Sequence, residues 1–188
     1  MVTFEVLKID VWNAWIFMSV FILQMIVMAF AGKQIRKRTH IPNSARKTIV
    51  DKYIGLLANF FWFVALGYSI FLPLLLGGNW FYVGFSVFLI GLFILIIATI
   101  NFMTTSVERL IEKGVYKFSR HPMYLATFII CLGTGIASAS FIFILLSLII
   151  AICLYYEALL EEKYCLMKYG DLYKVYMNIV PRWFGIFK

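Results

Sequence analysis

The side chains with the most chemical potential in this chain fall in two groups. The first is the run Gly-Val-Tyr-Lys-Phe-Ser-Arg-His-Pro-Met-Tyr at residues 114–124. The second is Glu157, Glu161 and Glu162, which follow an uncharged stretch. Pro122 suits the first turn of a helix, where its missing N–H costs nothing and its φ is already helical. Such a helix start has free N–H groups and a positive dipole end that favour an anion, either a carboxylate or a phosphate. Arg120 and His121 stand immediately before it. The plainer alternative is an interfacial anchor, with Arg120 reaching to lipid headgroups. Glu157 and Glu161 are four residues apart and share a helix face, where like charges repel by about 0.2–0.5 kcal/mol. Something positive is therefore expected opposite them: Arg120, Arg109 or a cationic ligand. Glu162, as a sequence neighbour, is expected to point elsewhere. Tyr116, Tyr124, Tyr155, Tyr156 and Tyr164 offer faces for a cation, or belong to an interfacial aromatic belt. Together these groups suit a zwitterionic or cationic cofactor. S-adenosylmethionine is one such molecule; spacing alone does not single it out.

The elements that must position these groups are membrane spans. Of the 188 residues, 63% are hydrophobic and 14% charged, against roughly half and a quarter in a soluble domain. The expected fold is all-α and integral to the membrane, with five transmembrane helices, the last two forming a hairpin, and a C-terminal cytoplasmic helical region. Span one is expected from Val11 to Ala31, span two from Ile54 to Leu76, and span three from Trp80 to Phe102. No charged residue occurs from Tyr53 to Val107, which fits two spans and a short turn. The uncharged stretch from His121 to Tyr156 is long for one span, so a reversal is expected between Gly133 and Ser140. Small residues there, Gly133, Gly135, Ala137 and Ser138, permit close helix approach. One membrane domain over 1–188 is expected, with three spans and a basic loop in 1–100 and the cofactor-binding half in 101–188.

Five spans place the termini on opposite sides. All 17 lysines and arginines except Lys8 then fall on one side. The positive-inside rule makes that side cytoplasmic and the N-terminus external. The net charge of +8 is thus read as topology, not as a nucleic-acid footprint. Ala29-Phe30-Ala31 resembles a signal-peptidase site, but Arg36-Lys37-Arg38 closely after it favours an uncleaved first span. Three segments meet at the cytoplasmic face. Gly32–Lys52 is basic and contains Ile41-Pro42-Asn43-Ser44. In 101–120, Thr105 and Glu108 are spaced as a capping box, predicting a short helix that stops at Gly114. Residues 157–188 continue span five, break near Gly170, resume through Tyr173 and Tyr176, and stop at Pro181. Cys131, Cys153 and Cys165 have no metal-ligand or disulfide spacing. With only His40 and His121 beside them, no metal site is expected.

Gly-x-Tyr, Arg-His-Pro-x-Tyr, a helical hairpin, Glu-Glu and a Tyr-Gly-x-x-Tyr-x-x-Tyr tail resemble the integral membrane methyltransferases. These include isoprenylcysteine carboxyl methyltransferases and phospholipid methyltransferases, and the resemblance spans roughly Asn101 to Pro181. It implies S-adenosylmethionine bound on the cytoplasmic side under the C-terminal helices, with a tunnel to the lipid and a lipophilic, membrane-borne acceptor. Carried over residue by residue, cofactor contacts fall on Asn101, Leu110, Ile111, Tyr116, His121, Pro122, Met123, Tyr124, Glu161 and Glu162. Glu108 and Arg109 hold contact positions without matching a motif residue. Arg120, Glu157 and Glu161 are the expected catalytic groups. Two departures stand out. Ala126 replaces a customary Gly, a small change. Glu157 stands where the carboxyl methyltransferases carry an arginine, which grips a carboxylate as a fork. Glutamate would repel a carboxylate, so a phospholipid-type amine is favoured over isoprenylcysteine-type O-methylation. Without that arginine, a carboxylate would have to be held by Arg182 or Arg109. The rival readings are a nicotinamide-dependent membrane reductase and a non-catalytic lipid-binding protein.

Overall fold

The computed structural model describes residues 7–31, 49–106 and 108–184, without the side chains of Ile49, Val50 and Lys52. Most of the basic loop, with Ile41-Pro42-Asn43-Ser44 and His40, lies outside the described residues. Those described form six α-helices and one short 3-10 turn. The α-helices are α1 (Trp15–Phe30), α2 (Ile49–Phe71), α3 (Asn79–Met103), α4 (Pro122–Ala137), α5 (Phe141–Tyr169) and α6 (Asp171–Ile179). The 3-10 turn is Gly114–Lys117. Three helices, α2, α3 and α5, are long and apolar enough to cross a membrane. The apolar helices α1 and α4 have 16 residues each, or about 24 Å, short of a hydrocarbon core of about 30 Å.

Three boundaries differ from the expectations. The second apolar run does not stay helical to Leu76. It ends at Phe71, because Pro73 forces the residue before it out of helical geometry. Residues 72–74 instead lie alongside the segment preceding α1. Ala14 N donates to Leu72 O at 2.8 Å, and Leu74 N to Trp12 O at 3.0 Å. Asn13 is fully buried there, and its Nδ2 donates to Lys8 O and Ile70 O. Among the described residues the short helix expected at Thr105 is also absent. The Thr105 hydroxyl donates to Asn101 O at 2.7 Å, closing the end of α3 rather than capping a new helix. Gly114 then opens the 3-10 turn at φ +58° rather than ending a helix.

The hairpin reverses over residues 138–140, and Ser140 caps α5 by accepting from Phe143 N at 3.0 Å. α3 and α4 pack most closely of all the helix pairs. Their seam is glycine. A Cβ on Gly91 would lie 2.8 Å from Ile130 Cγ1, and one on Gly133 would lie 2.5 Å from Phe88 N. The seam leaves Ala126, Ile130 and Cys131 fully buried and holds the N-terminus of α4 in one place. The main core lies beside it, where Phe17 stacks on Phe88 at 4.1 Å and Phe21 meets Trp62 edge-on at 4.6 Å.

The bundle has two ends. Leu75 N donates to Ala137 O, so the turn after α2, the start of α1 and the tip of the hairpin share one end. At the other end, Met28 of α1 packs beside Phe102, Ile111 and Tyr116. Here α5 extends into a charged segment and Gly170 (φ +57°) turns the chain into α6.

Candidate active site

The second end is organised around His121, the residue that precedes α4. Its backbone is held by Ser119, whose Oγ accepts from His121 N at 3.2 Å and donates to Arg182 O at 3.0 Å. Arg120 N donates to Pro181 O at 3.0 Å. The chain after α6 is thereby tied to the start of α4. The buried imidazole faces both carboxylates of the α5 pair. His121 Nδ1 lies 3.3 Å from Glu161 Oε2, and Nε2 lies 3.3 Å from Glu162 Oε1. Burial pushes the imidazole pKa down, but hydrogen bonds and charge attraction from Glu161 and Glu162 outweigh it and hold the group above its ordinary value.

The adjacent glutamates do not diverge as expected, since both meet the same ring. They differ in burial. The Glu161 side chain is 35% exposed and that of Glu162 is 4% exposed. Glu162 is gripped by two arginines: Arg120 Nη2 at 3.1 Å, and Arg182 through Nε at 2.9 Å and Nη2 at 2.7 Å. A bidentate fork plus a second guanidinium satisfies a carboxylate that would otherwise be costly to bury. Hydrogen bonding to that carboxylate raises the Arg182 pKa. Arg182 also lies over the Tyr155 ring, 5.3 Å from its centre. Arg120 thus meets a carboxylate of the α5 segment, one of the alternatives the sequence leaves open, although at Glu162 rather than at Glu157 or Glu161, and His121 faces Glu161 and Glu162 rather than an external anion.

A cleft adjoins this cluster between α5, α6 and the 104–121 segment. Of the sequence-expected positions, Leu110, Ile111, Tyr116, Arg120, His121 and Glu161 line it. Pro122 is buried at the start of α4, Met123 packs in the core, and Glu162 lies behind His121. Asn101 sits against Gly114, where a Cβ would collide with its amide. Tyr124 stacks on His121, with ring centres 5.5 Å apart. Together with Glu157, Tyr124 lines a different groove, between α2 and α5. Glu108 and Arg109 are exposed.

The cleft wall includes Tyr169, the first tyrosine of the Tyr-Gly-x-x-Tyr-x-x-Tyr tail, and three residues that motif reasoning passed over: Phe102, Cys165 and Lys168. Helical periodicity from Glu161 was the available signal, because Tyr164, Cys165 and Lys168 follow it at i+3, i+4 and i+7 on one face. Tyr173 and Tyr176 of α6 close the opposite side, and Tyr176 Oη donates to Tyr116 O at 2.7 Å.

The residues fit a zwitterion with an aromatic part. Tyrosine and aliphatic walls suit a flat ring, and Glu161 suits a cation. Two buried donors, Asn101 Nδ2 and Arg120 Nε, have no hydrogen-bond partner among the described residues. The cleft holds about 70 Å³, whereas small-molecule sites begin at about 300 Å³. No group of His, Cys, Asp and Glu that would hold a metal is present among the described residues.

A third recess, of about 630 Å³, lies between α4 and α5. It is almost wholly apolar, with Phe128, Leu148 and Ile152 in its wall and Tyr155 and Trp183 among its few polar-tipped side chains. No curated protein matches the chain. Residues 68–172 match the phospholipid methyltransferase family. That match covers more than half of the 188 residues, from the end of α2 into α6, so the chain, with its three membrane-length apolar helices, belongs to the phospholipid methyltransferase family of membrane proteins.

Proposed function

We propose that this protein transfers a methyl group from S-adenosylmethionine to the amine of a membrane lipid, at the cytoplasmic end of a five-span bundle. The observation that carries this reading is the adjacency, through the stacked His121 and Tyr124 rings, of an aromatic cleft with one accessible carboxylate and a large apolar recess. The cofactor supplies a methyl group on a sulfonium. Leu110, Ile111, Tyr116 and Tyr173 would enclose its flat and aliphatic parts. Glu161 would attract its positive charge, while Arg120 Nε and Asn101 Nδ2 stand ready for its carboxylate. The Arg120–Glu162–Arg182 group orients His121, and His121 orients Glu161. Rate enhancement comes from alignment and exclusion of water. Glu157 accepts the proton that the ammonium must lose before its nitrogen can attack.

Carboxyl O-methylation has less support. Of the two arginines left to hold a carboxylate, Arg182 is engaged by Glu162 and Arg109 is exposed, away from the cleft lining. The orientation rests on the excess of Lys and Arg at the site end of the chain.

The test is transfer of labelled methyl from S-adenosylmethionine to phosphatidylethanolamine vesicles by the purified protein. Base-stable label in extracted lipid is expected, together with loss of label and of cofactor binding in Glu161→Ala. Base-labile label would indicate an ester and overturn the amine assignment. Absence of cofactor binding by the folded protein would overturn the enzyme reading.

A further inference from the structure

We infer that α2 carries the selectivity filter for the acceptor: Asn59 and Trp62, with Glu157 across from them on α5, bind the cationic head of the lipid. This rests on the lipid-amine methyltransferase reading above. The groove between α2 and α5 has a volume of about 270 Å³ and includes Tyr124 of α4 in its lining. Its polar groups are matched to a donor. The Asn59 amide gives Nδ2 to Gly55 O at 2.8 Å, which leaves its oxygen as the group to offer a ligand. Glu157 adds a carboxylate, and Trp62 adds the ring type that best attracts a cation. No lysine or arginine is among the described residues that line the groove. Among the described residues the lining offers an ammonium the Asn59 amide oxygen, the Glu157 carboxylate and the Trp62 ring face, while its donors, the Trp62 N–H, the Tyr124 O–H and the Cys153 thiol, bring no positive charge to an anion. An asparagine in an otherwise apolar span is itself costly to keep without a role.

Position supports the same conclusion. Tyr124 and Leu154 line both this groove and the apolar recess between α4 and α5. A lipid with its head on the α2 side and a chain on the α4 side would cross only those two side chains. Tyr124 also stacks on His121 at the cofactor cleft. The head group would therefore sit one aromatic ring from the reacting centre. Trp62 is fixed by its edge-on contact with Phe21, so its face is preset. Asn59 and Trp62 both precede residue 68, where the family match begins. They adapt this chain's acceptor site and are not part of the matched machinery.

Two readouts on the full-length protein in nanodiscs test this. The first is methyl-transfer kinetics with phosphatidylethanolamine. Asn59→Leu and Trp62→Leu should each raise the acceptor KM about tenfold, the order of one cation contact, with cofactor affinity unchanged. Asn59→Asp, which keeps an acceptor, should stay within about twofold of the parent. The second readout needs no turnover. It uses a phosphatidylethanolamine whose nitrogen carries an alkyl diazirine and keeps its charge. Photolysis should label residues 55–62 and 150–157, and excess unmodified lipid should suppress the labelling. Label confined to other segments, or unchanged KM in both leucine variants, overturns the filter. Correct labelling without methyl transfer by the parent protein keeps the filter and defeats the methyltransferase reading instead.

Discussion

At the scale of single residues, Glu161 and Glu162 show how adjacent, identical side chains acquire different work. Glu162 is closed off by Arg120, Arg182 and His121, so it organises the site. Glu161 keeps one side toward the cleft and is able to meet a ligand. Both bear on His121, whose folded pKa is raised above the ordinary value near 6.5. A raised folded pKa means that the fold binds the proton more tightly than the unfolded chain does. The resulting stability is fully present below the unfolded pKa and is lost as pH rises through the folded one. Thermal unfolding at constant salt should therefore show the midpoint falling as pH rises from about 6.5, with this step missing in His121→Asn. A midpoint independent of pH in the parent protein would show that the carboxylates do not hold the proton. The sequence made the Arg-His-Pro and Glu-Glu groups visible as chemistry. It did not reveal which glutamate is structural, because that depends on Arg182, twenty residues away along the chain and brought back only by the turn at Gly170.

At the scale of elements, the helices were largely legible because their causes are local. Uncharged runs gave α2, α3 and α5, Pro122 set the start of α4, and Gly170 set the break before α6. Two places were misread, and in both the cause is also local: Pro73, inside the expected run, ends α2 at Phe71 and frees residues 72–74 to pair with 12–14, and the Thr105 hydroxyl turns back four residues to Asn101 O instead of capping a new helix. Gly170 carries the element-scale prediction. Its φ of +57° and ψ of −127° fall where a side chain is strained. Apart from its own helix backbone and chain neighbours, no atom of the described residues lies within 4 Å of a Cβ placed there, so the penalty is one of backbone. Gly170→Ala should cost about 1–3 kcal/mol and weaken cofactor binding by shifting α6, which bears Tyr173 and Tyr176. Chemical denaturation and equilibrium cofactor binding measure the two effects. Parent-like values of both would mean that the junction between α5 and α6 relaxes without strain.

At the scale of the whole molecule, the site sits at one end of the bundle, and which membrane face that end meets decides which lipids reach it. The end that holds Asn13, Leu75 and Ala137 has Lys8 as its one basic residue among those described. The opposite end carries Lys113, Lys117, Arg120, Lys163, Lys168, Lys174 and Arg182. Moving this second end across a bilayer would require translocating all of those cations, which the positive-inside rule disfavours. The outward faces of α6 and its neighbours, with Leu172, Val175, Ile179 and Phe118 exposed beside Lys117 and Lys174, match the apolar-and-basic pattern of a segment lying in the headgroup layer. An impermeant maleimide applied to intact cells should therefore label Lys8→Cys and spare Lys174→Cys in a background without Cys131, Cys153 and Cys165. Permeabilisation should expose the second position. The reverse pattern would place the site outside, where cytoplasmic S-adenosylmethionine has no access, and would exclude the proposed reaction whatever the geometry of the cleft. Under the proposed reaction the expected pattern would limit acceptors to the cytoplasmic leaflet, whose lipids would reach the recess between α4 and α5 by lateral diffusion while the cofactor would come from the water on the same side.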